Sequence, residues 1–191
     1  MNLLLHCCCG PCSTVTVEHF RSSGDEVTGW FFNPNIHPAD ELRLREIWFE
    51  KAASAIRLPL LRSGPDLDFR RFLLELAAHP ESERCRACYQ FRLKATAKEA
   101  AARGFDTFST TLLISPYQDI SAIQEIGRAV AGRVGLVFRS ADLRERFAES
   151  RERARELGLY QQNYCGCLFS SLERARGRSS RVVGKLLDSA A

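Results

Sequence analysis

The 191-residue sequence has no hydrophobic run approaching the roughly 18 apolar residues that a membrane-spanning helix needs. Its start carries no basic stretch ahead of an apolar segment, since Met1-Asn2 leads straight into Leu3-Leu4-Leu5, so a secretory signal is not expected. There is no internal repeat and no low-complexity linker, which sets aside solenoids and flexible multidomain arrays. A formal net charge of +4 is too mild to mark the whole chain as a polyanion binder. With 45% hydrophobic and 26% charged residues the composition is that of an ordinary globular protein, and the length suits one domain, residues 1–191, rather than two. A cytoplasmic location is expected.

Cysteine is plentiful. Eight thiols in a chain from a reducing compartment read better as metal ligands or catalytic groups than as a disulfide framework. They fall in three places: Cys7, Cys8, Cys9 and Cys12; Cys85 and Cys88; Cys165 and Cys167.

The first group sits in His6-Cys7-Cys8-Cys9-Gly10-Pro11-Cys12, between a short apolar run and Ser13, a candidate N-cap. Strand, tight loop and helix are expected there, placing four thiols at the carboxyl edge of a first strand, where open α/β sheets bind ligands. Backbone N–H groups at the following helix N-terminus favour thiolate over thiol.

Further along, strands are expected at Val27–Phe32, Leu58–Leu61, Thr107–Leu113 and Leu136–Phe138, with helices at Thr14–Arg21, Leu42–Ile56, Phe69–Ala77, from Arg84 to a stop at Gly104, and at Ile120–Val134. Strands alternating with helices predict a doubly wound parallel sheet. From Ala141 the pattern changes to a mainly helical extension, 141–191, in which 150–156 reads as a charged, solvent-facing helix and a last helix starts near Ser170. Arg174, Arg176, Arg178, Arg181 and Lys185 form a basic tail suited either to a phosphate backbone or to a solvated helix face.

Cys85-x-x-Cys88 has the spacing that brings two sulfurs to one metal or cluster, and a four-ligand site needs two more. The first loop can supply them. Neighbouring Cys8 and Cys9 suit two irons of a cubane better than one zinc, which favours [4Fe–4S] over a structural zinc. Cys9-Gly10-Pro11-Cys12 spells a thioredoxin-type dithiol, but only eight residues precede it where that fold needs a strand and a helix; a thiol–disulfide oxidoreductase with a low-pKa Cys9 is the rival reading. A zinc-bound, non-enzymatic RNA-binding domain is the other. Cys165-Gly166-Cys167 can close a small, strained, easily re-reduced disulfide that stores two electrons, or can serve as further ligands or inert thiols. His6 is a candidate ligand, with Cys12, of a second metal, or else a hydrogen-bonded core histidine. His37 is a candidate substrate contact, and Thr110-Thr111 with Tyr117-Gln118 are placed to line the pocket.

Taken together, His6 with Cys8-Cys9-Gly10-Pro11-Cys12, Asn33-Pro34-Asn35-Ile36-His37-Pro38, Arg84-Cys85-x-x-Cys88-Tyr89 with Arg92-Leu93, Thr110-Thr111-Leu112-Leu113-x-Ser115-Pro116 and Gln162-Asn163-Tyr164-Cys165-Gly166-Cys167 resemble the QueH family of epoxyqueuosine reductases. The resemblance implies a single Rossmann-like domain, similar to the HUP or nucleotide α-hydrolase sheets. It also implies an iron–sulfur oxidoreductase that reduces epoxyqueuosine to queuosine at the wobble position of tRNA. By resemblance Cys8, Cys9, Cys85 and Cys88 hold a [4Fe–4S] cluster, and Cys165 and Cys167 are the redox-active pair. Cys7 is extra to the family pattern. A second mononuclear metal, iron or zinc, would draw on Cys12 and His6. Stacking of an anticodon base on Tyr89, Tyr117 or Tyr164 and a separate electron donor are further expectations.

Overall fold

The computed structural model describes residues 1–62 and 69–176. Five parallel strands form one sheet in the order β3-β2-β1-β4-β5: β1 Asn2–His6, β2 Glu26–Trp30, β3 Leu60–Leu61, β4 Thr107–Thr110 and β5 Val137–Phe138. The helices are α1 Gly10–Ser22, α2 Ala39–Ala55, α3 Phe69–Ala77, α4 Arg84–Ala102, α5 Ile120–Val134 and α6 Phe147–Glu156. The α/β expectation holds, and the arrangement is Rossmann-like.

β1 shows why the sheet is buried on both faces. Leu4 points into one core with Phe108, Leu93 and Ile123, under α4 and α5, while Leu3 and Leu5 point into the other with Val17, Phe20 and Phe49, under α1 and α2. A strand covered on both sides must be apolar throughout, and Leu3-Leu4-Leu5 is. β1 pairs with β2 on one side and β4 on the other, so the order of connection reverses between β1 and β4. In open α/β sheets such a switch point is where ligands bind, at the carboxyl edge.

Several boundaries differ from the sequence expectation for physical reasons. α1 begins at Gly10, not near Thr14, because Pro11 is pre-set for a first helical turn; Cys9 is the N-cap and Ser13 lies inside, its hydroxyl donating to the Cys9 carbonyl at 2.8 Å. β4 stops at Thr110, since the Thr110 hydroxyl accepts from Leu112 N–H at 3.2 Å and turns Thr111–Ile114 into a 3₁₀ helix. α6 is charged but not wholly solvent-facing: Ser150 and Ala154 are buried, and Arg146 and Arg153 both pair with Glu18 of α1. The Gly64-Pro65-Asp66 turn and the basic-tail residues Arg178, Arg181 and Lys185 lie outside the described residues. Among the described residues no helix is long and apolar enough to cross a membrane.

Gly127 of α5 lies against the Phe138 ring of β5, where an added Cβ would sit 2.5 Å from a ring carbon. Alanine favours an isolated helix over glycine by about 1 kcal/mol. Here the clash wins, and Gly127→Ala is expected to destabilise the fold by about 1–3 kcal/mol in equilibrium denaturation. A more stable variant would contradict this packing.

Candidate thiol centre at the sheet's carboxyl edge

The loop after β1 and the first turn of α1 carry Cys8, Cys9 and Cys12 at the carboxyl edge of the sheet, with Cys8 hydrogen-bonded to Thr111 just after β4. Cys8, Cys9 and Cys12 have their Sγ atoms within 4.8 Å of one another, a grouping able to hold a metal. The loop is fixed from the β4 side by a reciprocal pair of hydrogen bonds: Cys8 N–H donates to Thr111 Oγ1 at 3.0 Å, and that hydroxyl donates to Cys8 Sγ at 3.2 Å. From the far end of the chain Gln162 Nε2 donates to Cys9 Sγ at 2.8 Å. The sulfurs are electrostatically unequal. Hydrogen bonds from Cys12 and then Cys9 hold the Cys8 thiol well below its usual range, making it the thiolate of the group. Burial pushes Cys9 up, and the hydrogen bond to Cys8 keeps the Cys12 proton in place. Cys9 is 1% exposed. A buried thiol with a raised pKa is the reverse of the accessible, acidic Cys9 that thioredoxin-type exchange requires.

Cys7 points the other way, into the core under α1 and α2, where burial raises it to about 12. That accounts for its separation from the other three thiols.

Cys85 and Cys88 occupy the first two turns of α4, one helical turn apart on one face. Cys85 is exposed, whereas Cys88 packs against the same core cluster as Cys8. Arg92, one turn further along, is 4% exposed; its Nε donates to the Cys88 carbonyl at 3.4 Å. Among the described residues no carboxylate pairs with it. The groups that favour its charge are Cys88, Cys8 and Cys165, in that order, then Tyr89. The charge of one buried guanidinium is thus favoured by thiols from all three cysteine segments.

Cys165 and Cys167 lie on the loop that ends in the helical stretch 168–176, with their sulfurs 3.4 Å apart. Ser170 Oγ is 3.0 Å from Cys165 Sγ and 3.4 Å from Cys167 Sγ. Hydrogen bonding from Cys167 lowers the Cys165 thiol to about 5, with Ser170 and Arg92 adding to the effect, and Cys167 is raised correspondingly. Burial, and after it negative charge on Cys165, raises both the Cys85 and the Cys88 thiol.

The remaining candidates divide. His6 is fully buried with both ring nitrogens engaged: Nε2–H donates to the Phe32 carbonyl at 3.0 Å, and Nδ1 accepts from the Thr110 hydroxyl at 2.8 Å. Burial, aided by Arg92, lowers it to about 4, so it is neutral and, as placed, offers no lone pair to a metal. It matches the core-histidine reading. Tyr89 is 4% exposed, its hydroxyl donating to Gln118 Oε1 at 2.9 Å and accepting from Asp119 N–H at 3.3 Å. Burial withdraws its ring as a stacking surface. Tyr117, by contrast, is 82% exposed, held edge-on against Phe147. Tyr164 is partly buried beneath the Arg45 guanidinium, 5.0 Å from its ring centre. His37 stands edge-on to Phe69 with Nε2 buried and unpartnered.

Fold and site together define a Rossmann-like α/β protein with a group of thiols at the switch point of its sheet, the edge where such sheets bind ligands. The epoxyqueuosine reductase QueH family model matches residues 3–173. Curated relatives named epoxyqueuosine reductase QueH include those of Dehalococcoides mccartyi, 36% identical over 91% of this chain and 94% of that one, and Thermotoga maritima, 36% identical over 91% and 92%. That of Haemophilus influenzae is 33% identical over 99% of this chain and 81% of its own. Among solved structures a Streptomyces sp. SF2575 glycosyltransferase aligns with a TM-score of 0.40 at 16% identity, covering 85% of this chain and 48% of that one. The chain belongs to the QueH family.

Because the Cys165 thiol titrates near 5, it is a thiolate throughout the neutral range. Its alkylation by iodoacetamide, read by peptide mass spectrometry, should vary less than about twofold between about pH 6.5 and about pH 8.5, and fall below about pH 5 as the thiolate takes up a proton. An ordinary thiol gains about tenfold per pH unit over that span. A rise of that size would contradict the arrangement.

Proposed function

We propose that this chain reduces the epoxycyclopentane of epoxyqueuosine to the cyclopentene of queuosine at the wobble position of tRNA. The observation that carries the reading is the group of Cys8, Cys9 and Cys12 sulfurs within 4.8 Å of one another, together with the Cys165 and Cys167 sulfurs 3.4 Å apart, in a member of the QueH family. Removing the epoxide oxygen as water takes two electrons and two protons. Closing the Cys165–Cys167 pair, a thiolate and a thiol, to a disulfide releases two electrons and one proton; with the second proton taken from solvent, one closure of the pair balances one turnover. Cys165, the more acidic and more exposed thiol, is the member placed to react first.

Cys8, Cys9, Cys85 and Cys88 would hold a [4Fe–4S] cluster. The donor set fits: soft sulfurs, one of them already a thiolate, a buried cation to balance anionic charge, and hydrogen bonds to sulfur from Thr111 and Gln162. When bound, such a cluster supplies single-electron transfer and a Lewis-acidic iron. Cys12 lies close enough to serve a second mononuclear metal, iron or zinc, while the hydrogen bonds of His6 argue for a scaffold role there.

For the tRNA, the exposed Tyr117 offers a stacking face, and His37 and Arg174 each hydrogen-bond the backbone of the dithiol loop. An electron donor separate from this chain must re-reduce the disulfide between turnovers, which suits a cytoplasmic protein.

The test is complementation of a bacterial strain lacking its own epoxyqueuosine reductase, with tRNA nucleosides read by mass spectrometry. The wild-type chain is expected to restore queuosine, while Cys165→Ser and Cys88→Ser leave epoxyqueuosine to accumulate. Failure of the wild type to consume epoxyqueuosine would overturn the reading, as would a Cys165→Ser chain matching wild-type turnover.

A further inference from the structure

Arg45 is a charged side chain that neither the sequence motifs nor the thiol chemistry uses, yet it is only 2% exposed. It sits in the second turn of α2, and every edge of its guanidinium is engaged. Nε donates to Glu41 Oε1 at 2.7 Å, Nη1 to the Cys165 carbonyl at 3.1 Å, and Nη2 to the Tyr164 carbonyl at 3.2 Å. The same guanidinium lies over the Tyr164 ring. Around it the loop is tied down further: Tyr164 Oη donates to the His37 carbonyl at 2.7 Å, His37 N–H to the Gly166 carbonyl at 2.8 Å, and Tyr160 Oη to Glu41 at 3.0 Å. Gly166 adopts φ 110°, and a Cβ there would meet Ile36 Cγ1 at 2.8 Å and Arg45 Nη1 at 3.1 Å. The glycine between the two cysteines is what lets the backbone close on Arg45.

Arg45 holds the dithiol loop by its Tyr164 and Cys165 carbonyls and by the Tyr164 ring, and Cys165 is exposed. We propose that Arg45 is a positioning residue for the Cys165–Cys167 dithiol: by holding the Tyr164 and Cys165 carbonyls against α2 it keeps the two sulfurs within closing distance and favours the disulfide. Ring closure between two thiols depends on the fraction of time their backbone presents them face to face, so a fixed loop raises their effective concentration. Lysine cannot reproduce the effect, since one ammonium cannot span Glu41 and two carbonyls in a plane. The inference rests on the redox role proposed above for this pair.

The full chain, held anaerobically in buffers of set dithiothreitol to oxidised dithiothreitol ratio, tests it. In each closure the protein gains one S–S bond and passes two electrons and the Cys167 proton to the cyclic disulfide of the reagent, which takes its second proton from solvent and opens to its dithiol. Differential alkylation and mass spectrometry give the fraction of Cys165–Cys167 disulfide. Arg45→Met is expected to lower the equilibrium constant for closure about tenfold, about 30 mV for this two-electron couple, with Arg45→Lys in between. Gly166→Ala, which pushes the loop off Arg45 from the other side, should shift it in the same direction.

A value for Arg45→Met within twofold of wild type, or a shift toward the disulfide, overturns the inference while leaving the redox role standing. Should Arg45→Met not fold by circular dichroism, Gly166→Ala decides on the same criterion. Absence of the disulfide in the wild type at every ratio overturns the redox role and this inference together.

Discussion

Among the described residues no carboxylate pairs with the buried guanidinium of Arg92, and the groups that favour its charge are the thiols Cys88, Cys8 and Cys165. Arg92 comes from α4, Cys8 from the loop after β1, and Cys165 from the segment beyond α6, so one charge ties together parts of the chain that are far apart in sequence. The arrangement depends on the parallel sheet. Because β1 and β4 are neighbours whose connections leave in opposite directions, the carboxyl edge opens between them, and α4 starts on that same edge.

The polar residues around the thiols serve to hold them still. Thr110 and Thr111 end β4 and split their work: one fixes the neutral His6, the other the acidic Cys8. Gln162 reaches Cys9 from the C-terminal segment, and Arg45 grips that segment two residues later. The dithiol loop is therefore bound at two points, to the loop after β1 through Cys9 and to α2 through Arg45.

Much of this was legible in the sequence. α3 and α5 fall where apolar periodicity places them, and β1 was marked by three leucines that only a two-sided core would require. The clustering of cysteines, and the threonines after β4, pointed to the site. What stayed hidden depended on tertiary contact. Glu41 and Arg45 are spaced like any surface ion pair on a helix, and nothing local tells that one of them is buried under the dithiol loop. Tyr89 and Tyr117 look alike in sequence, but one is capped by Gln118 and Asp119 and the other stands in solvent. Cys7 and Cys8 are adjacent, and only the strand's alternation sends them to opposite sides of the sheet.

The central claim is that sulfurs from the first loop and from α4 serve one inorganic centre. Iron and acid-labile sulfide, counted per chain after anaerobic reconstitution of the wild type and of Cys8→Ser and Cys88→Ser, measure it most directly. The wild type should carry about four of each, and either serine variant, though its change lies in a different segment, should lose at least about half of both. Full iron and sulfide in Cys88→Ser, with an unchanged electron paramagnetic resonance spectrum, would contradict a shared centre.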